Sequence, residues 1–243
     1  MGFLEKLRRT KRADLPYCAA VVPAAGSSVR MEGQDKLLLT LGDAPVLVHT
    51  LRALESSACI REIVVVTRQD LIVPVARLCG DYGLDKVSKV VAGGASRTES
   101  VLAGVREVSE RAELIAIHDG ARPLVTAEVI DGAVLRAAEC GAAAPAVPMK
   151  DTVKQAEKGF VTATPDRETL FAVQTPQVFE AALIYGALQK SVTDGAVLTD
   201  DCSAVERLGM SVALTKGSYE NIKITTSVDL LMAEAILQGR DDQ

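Results

Sequence analysis

Tryptophan is absent from this chain, and aromatic residues make up only 3% of it. The core must therefore be built from aliphatic side chains, which suits helices laid on a valine-rich parallel sheet. Histidine occurs twice, at His49 and His118, and no Ser-His-Asp or Cys-His catalytic set is identifiable. The five cysteines, Cys18, Cys59, Cys79, Cys140 and Cys202, are odd in number, widely spaced and never in a C-x-x-C pair. They read as reduced, mostly buried thiols of a cytoplasmic protein, with no metal-ligand spacing among them. There is no transmembrane run and no signal peptide. A basic stripe with interleaved aromatics is also missing, which argues against nucleic-acid binding. The net charge of −5 would repel nucleic acid and anionic membranes, so any anion site must be made by local charge.

What is present is a chain of 243 residues, 48% hydrophobic, with mean hydropathy +0.19. That is enough for one large domain with a sizeable core. Strand-like runs fall at residues 19–22, 62–67, 89–92, 114–118, 142–147, 212–215 and 222–225. Helical patterns fall between them, at 46–54, 70–79, 97–108, 127–139, 181–188, 200–208 and 227–237. This alternation predicts an α/β fold with a doubly wound, mostly parallel sheet, in which ligands bind beyond the carboxyl ends of the strands. The domain is expected over residues 17–238, after a basic extension (1–16) and before a short tail (239–243); no fused downstream domain is expected. Residues 149–166 break the rhythm. They alternate polar and β-branched side chains around Lys158-Gly159, which predicts a polar hairpin. Taken alone, it reads as a decorated loop slightly better than as an arm packing on another subunit.

The first strand runs into Ala24, Ala25, Gly26, Ser27 and Ser28, with Arg30 and Lys36 just beyond. Such small residues let backbone N–H groups approach an anion closely. The segment is neither a P-loop nor a dinucleotide fingerprint, and alone it reads equally well as a tight turn. A second loop, Gly93 to Ser96, leads into a helix that Ser96 and Glu99 can close as a capping box. Arg97 and Ser100 are then left as possible ligand contacts. Asp119 ends another strand, and Thr126 is the better cap for the helix that follows. That frees Asp119 for a magnesium ion or a sugar hydroxyl. Lys223 alternates with Ile222 and Ile224; in isolation an exposed lysine is the simpler reading. Arg30, Lys36, Arg167 and Lys223 thus fall in loops or at strand ends. An excess of cations over bases suits phosphoryl or nucleotidyl transfer. A phosphate monoester is largely a dianion at neutral pH and can attack without a general base.

PAAGSSVRM with Lys36, GGASRTESV, HDGARP, PMKDTVK, TPDR, QTPQVF, LTDDCSAVE and NIKIT occur in that order. Over residues 17–238 the chain resembles the 2-C-methyl-D-erythritol 4-phosphate cytidylyltransferases of the non-mevalonate isoprenoid pathway. The resemblance implies a Rossmann-like fold of the nucleotide-diphospho-sugar transferase type. It also implies transfer of CMP from CTP to methylerythritol phosphate, with release of pyrophosphate and with Mg²⁺. Arg30 and Lys36 match the residues that stabilise the transition state; Arg167 and Lys223 match those that position the acceptor phosphate. Ala24, Ala25, Gly26, Gly94 and Ser100 match positions around the cytidine, and Asp119, Thr152 and Thr199 positions near the substrates. The hairpin matches an arm through which two subunits clasp, carrying Thr152 and Arg167 toward the partner's site, which reverses the decorated-loop reading.

The chain departs from the family pattern at two positions. Asp35 replaces a proline before Lys36, leaving a less rigid loop with a negative charge beside the lysine. Ala95 stands where an acidic residue is common, so a base contact there must come from backbone or be absent. Two rivals remain from the sequence. One is a cytidylyltransferase for another polyol phosphate, such as ribitol 5-phosphate. The other is a non-catalytic nucleotide sensor, which retention of all four cations argues against.

Overall fold

A computed structural model describes residues 15–26 and 36–241. Ser27, Ser28, Arg30, Asp35 and the basic extension through residue 14 lie outside the described residues. The chain runs β1 (Cys18–Pro23), β2 (Thr40–Leu41), β3 (Ala44–Pro45), α1 (Val46–Ser56), β4 (Ile60–Thr67), α2 (Ile72–Asp81), β5 (Val87–Ala92), α3 (Arg97–Glu107), β6 (Leu114–Ile117), α4 (Ala127–Cys140) and β7 (Ala142–Pro148). Then come β8 (Gln155–Glu157), β9 (Phe160–Ala163), β10 (Phe171–Val173), β11 (Gln177–Glu180), α5 (Ala181–Thr193), α6 (Asp201–Glu206), β12 (Ala213–Lys216) and α7 (Ser227–Asp241). Short 3₁₀ turns sit at Gln69–Leu71 and Arg167–Thr169.

The main sheet has eight strands in the order β10-β7-β11-β6-β1-β4-β5, with β12 also paired to β7. β1 pairs parallel with β4 and β6, and β5 parallel with β4. From β1 the chain builds outward through β4 and β5, then returns to the other side of β1 as β6. Such a reversal opens a crevice at the carboxyl ends of the strands. Period-two alternation sorts the strand side chains onto two faces. Cys18, Ala20 and Val22 of β1 and Leu114 and Ala116 of β6 join the cluster beneath α1 and α4. Val21, Ile115 and Ile117 join the other, beneath α3, α5 and α6. Both layers are aliphatic, and Phe179 is the aromatic residue among the largest fully buried side chains.

Two strands of the main sheet, β10 and β11, went unread because Pro176 and polar Gln174, Thr175 and Gln177 interrupt the apolar pattern. β11 wedges antiparallel between β6 and β7, and β10 pairs antiparallel with β7. The expected strand at 222–225 does not form. The Ile224 N–H makes one bond, to the Ala121 carbonyl at 2.8 Å, rather than entering a ladder. The predicted hairpin does form as β8 and β9, turning on Lys158 (φ 49°) and Gly159 (φ 85°), as a two-residue I′-type turn requires. Every residue of its two strands is exposed. Of the cysteines, Cys18, Cys59, Cys79 and Cys202 are buried and Cys140 is exposed. Among the described residues, no helix is long and apolar enough to cross a membrane.

α3 lies on the sheet at unusually close range through Gly104. A Cβ there would sit 2.5 Å from Val21 Cγ1 and 2.6 Å from Val66 Cγ2. Alanine normally gains about 1 kcal/mol over glycine inside a helix; here overpacking against two stiff valines outweighs it. Gly104→Ala should therefore lower stability by roughly 1–2 kcal/mol in urea unfolding. A stabilised variant would show that α3 can lift off the sheet at no cost.

Candidate active site

A cleft of about 370 Å³ opens beyond the carboxyl ends of β1, β5 and β6, where the sheet order reverses. Pro23, Ala24, Ala25 and Gly26 form one wall, Gly94 to Arg97 with Ser100 the opposite wall, and Asp119, Gly120 and Ala121 the floor. Lys36 and Lys223 also line it. Backbone bonds hold the walls to the sheet: the Ala24 N–H donates to the Val66 carbonyl (2.6 Å) and the Gly93 N–H to that of Thr67 (2.8 Å).

The head of α3 fixes the second wall. Ser96 accepts from the Glu99 N–H at 3.1 Å, while Glu99 Oε2 accepts from the Ser96 N–H at 3.2 Å, completing the expected capping box. The Ser100 hydroxyl donates to the Ser96 carbonyl at 2.9 Å and accepts from the Gly94 N–H at 3.1 Å. Gly93 and Gly94 serve close approach rather than a left-handed turn. A Cβ on Gly94 would lie 2.5 Å from that of Glu99, and one on Gly93 2.7 Å from Ser100 Oγ. The Ala95 N–H is itself bound to Glu99 at 2.7 Å. Of the backbone groups that could replace the missing acidic side chain, the Ala95 carbonyl is thus the better placed.

Asp119 sits on the floor among three cations. Lys223 Nζ is 2.8 Å and Arg122 Nε 3.7 Å from its Oδ2, and Arg97 Nη2 is 3.6 Å from Oδ1. Burial pushes the Asp119 carboxyl upward, but Lys223, then Arg97 and Arg122, hold it down to about 2. It is therefore an anion at neutral pH. Its backbone is locked as well: the Asp119 N–H donates to Thr175 Oγ1 at 3.1 Å. The Thr175 hydroxyl lies 3.0 Å from His118 Nδ1, and His118 Nε2 lies 3.1 Å from the Arg122 carbonyl. A carbonyl can only accept, so Nε2 carries the hydrogen and Nδ1 accepts from Thr175. Burial lowers His118 to about 4, against the pull of the Arg122 carbonyl and of Asp119, so the ring is neutral.

Two groups at this site were missed from the sequence. Arg122, in HDGARP, donates from Nη1 to the Asn221 carbonyl at 2.6 Å. It thereby ties the floor to the segment that carries Lys223. Asp201, in LTDDCSAVE, takes both terminal nitrogens of Arg97, at 2.9 and 2.6 Å. Its side chain is 1% exposed. The consecutive acids at 200–201 were a signal, yet nothing in their spacing pointed to an arginine a hundred positions away.

The structure brings Ala24, Ala25, Gly26, Lys36, Gly94, Ser100, Asp119 and Lys223 to one cleft. It does not bring Thr152, Arg167 or Thr199 there. Thr152 and Thr199 are exposed in irregular segments. Arg167, at the base of the hairpin, donates to the Lys150 carbonyl at 3.1 Å. Arg30 lies outside the described residues. Cys202 lies near Asp201, and burial pushes its thiol upward, which leaves it unsuited to nucleophilic attack.

The sequence model of one family, described as 2-C-methyl-D-erythritol 4-phosphate cytidylyltransferase, matches residues 18–239. The chain belongs to this family. A relative of that name from Desulforamulus reducens is 47% identical over 226 residues, covering 91% of this chain and 96% of its own. Another, from Halalkalibacterium halodurans, is 46% identical over 224 residues, covering 92% and 98%. Among solved structures, the 4-diphosphocytidyl-2C-methyl-D-erythritol synthase of Anaerococcus prevotii superposes with a TM-score of 0.82 at 31% identity, covering 92% of this chain and 99% of that one. The cytidylyltransferase of Thermus thermophilus does so with a TM-score of 0.75 at 31% identity, covering 90% and 98%. Ribitol 5-phosphate, the alternative raised by the sequence, is not favoured by these relatives.

The neutral His118 of this cytidylyltransferase fold sets a pH dependence. Its folded pKa, about 4, lies below the ordinary 6.5. Between those values the unfolded chain binds a proton that the folded chain does not, so stability falls as pH falls. The loss reaches roughly 3 kcal/mol by pH 4. In urea unfolding across pH 7 to 4, His118→Asn should flatten this slope, whatever its absolute stability. Parallel curves for the two proteins would mean that His118 takes up its proton as readily in the fold as in the unfolded chain.

Proposed function

We propose that the protein transfers CMP from CTP to 2-C-methyl-D-erythritol 4-phosphate, giving 4-diphosphocytidyl-2-C-methyl-D-erythritol and pyrophosphate. The observation that carries this reading is the cleft itself, with small residues on its walls, Lys36 on its lining and Lys223 beside an ionised Asp119. An oxygen of the acceptor phosphate attacks the α-phosphorus of CTP. A new P–O bond forms, the bond to the β-phosphate oxygen breaks, and pyrophosphate leaves with that electron pair. The acceptor is already a dianion, so no protein base is needed. What the protein supplies is position and positive charge where negative charge develops.

Lys36, with Arg30, is suited to the triphosphate. Lys223, held by Asp119, is suited to the acceptor phosphate. Among the described residues, no group of three or more His, Cys, Asp or Glu side chains could cage a metal ion. Asp119, which brings a carboxylate to the cleft lining, would be the residue to hold a magnesium ion there. When bound, it would neutralise charge on the triphosphate.

The protein works as a homodimer in this proposal, each arm bringing Thr152 and Arg167 to the partner's cleft. Phe160 and Val161 on the arm are 78% and 61% exposed. Apolar side chains on a hairpin without a core of its own suit burial against another subunit.

Pyrophosphate release from CTP and Mg²⁺, with methylerythritol phosphate and ribitol 5-phosphate in parallel, tests the reaction. A preference for methylerythritol phosphate of roughly 100-fold or more in kcat/KM is expected. Equal or reversed preference would overturn the substrate assignment. Replacing residues 154–164 with a Gly-Ser linker should convert the dimer to monomer in sedimentation and lower kcat together. A variant that stays dimeric would rule out the clasp.

A further inference from the structure

We propose that Asp201 is a positioning residue for the nucleotide end of the cleft, acting through Arg97. The proposal rests on the cytidylyltransferase reading above. Asp201 does not line the cleft, whereas Arg97 does. The connection starts at Gln177 of β11, which is 2% exposed. Its Oε1 accepts from the N–H groups of Asp201 and Cys202, both at 2.9 Å, and its Nε2 donates to Asp200 at 2.7 Å. The first turn of α6 is thereby pinned to the sheet. Asp201 in turn holds the guanidinium of Arg97 in a two-pronged pair, a geometry that fixes both its place and its plane. From there Arg97 Nη2 reaches toward Asp119 Oδ1, while Lys223 and Arg122 face Oδ2. Arg97 therefore presents a fixed positive charge on the Oδ1 side of Asp119, while Lys223 keeps the closer contact on Oδ2. It is also the first residue of α3, whose head carries Gly94 and Ser100 on the cleft wall.

The alternative is a pair that merely joins α3 to α6. Burial pushes the Asp201 carboxyl upward, which marks a costly placement for a negative charge. The bidentate partner keeps Arg97 charged against its own burial. A pair needed only for cohesion could be replaced by apolar side chains, often with no loss of stability. Apolar side chains, however, could not hold a fixed positive charge against Asp119.

Three proteins separate the two roles: wild type, Asp201→Asn, and the double variant Arg97→Met, Asp201→Leu. Each is read by thermal unfolding, by calorimetric titration with CTP, and by KM and kcat for each substrate. In Asp201→Asn, the Kd and KM for CTP should rise on the order of tenfold, while the KM for methylerythritol phosphate stays within about twofold. The double variant should melt at or above the single variant and still bind CTP weakly. A double variant that is stable and binds CTP like wild type would overturn the proposal. Should the double variant fail to fold, Asp201→Asn decides alone. Unchanged CTP affinity, or an equal rise in both KM values, would overturn the positioning role. The titration reads the proposal even if wild type fails to use methylerythritol phosphate, an outcome that would count against the proposed reaction instead.

Discussion

The hydroxyl of Thr175 holds the floor of the cleft together. It accepts from the backbone of Asp119 and donates to a neutral His118, whose other nitrogen is committed to the Arg122 carbonyl. Each group has one available role, so the set has a single satisfied arrangement. The lock extends to a third segment. The Asn221 amide donates to the Thr175 carbonyl at 3.0 Å, and Arg122 donates back to the Asn221 carbonyl. Three segments far apart in sequence thus meet at one threonine, and Lys223 is delivered to Asp119 two residues later. The expected strand at 222–225 would have placed that lysine by a ladder; side-chain amides and one backbone bond place it instead.

The chain carries net negative charge, yet its cleft is a place where cations converge. Asp119 makes this tolerable by standing among Lys223, Arg97 and Arg122. Cations already held in place need little rearrangement when an anion arrives, which is the physical content of electrostatic preorganisation. Asp201 extends the same logic one layer deeper, since its charge is spent on an arginine rather than on a ligand.

Much of this was legible in the sequence because it depended on local rules. The parallel core of β1, β4, β5 and β6 follows from valine- and isoleucine-rich runs between helical stretches. The capping box at Ser96 and Glu99, the cap at Thr126 and the turn at Lys158-Gly159 follow from fixed short spacings. What could not be read depended on contacts between distant segments. β11 is a polar-headed strand made regular by β6 and β7 on either side, and no periodicity within QTPQVF announces it. Arg97 was legible as a residue of the cleft, but not the pair that holds it, because Asp201 is remote in the chain. Alternation correctly put Lys223 opposite Ile222 and Ile224, and Ile224 is fully buried, although the backbone there is not a strand. Arg167 and Thr152 could be assigned only through family resemblance, since within one chain they point to no common site.

The cysteine pattern has a practical consequence. Burial raises the Cys59 thiol to about 12 and Cys79 to about 11, and Cys18 and Cys202 are also pushed upward. Cys140, at the exposed end of α4, stands apart from these four. The native molecule therefore presents a single readily alkylated sulfur, and the unfolded chain presents five. A thiol reagent applied in a pulse would tag closed molecules once and opened ones repeatedly. Mass alone would then count the opened fraction, with no probe built into a chain that has no tryptophan to report on its own folding.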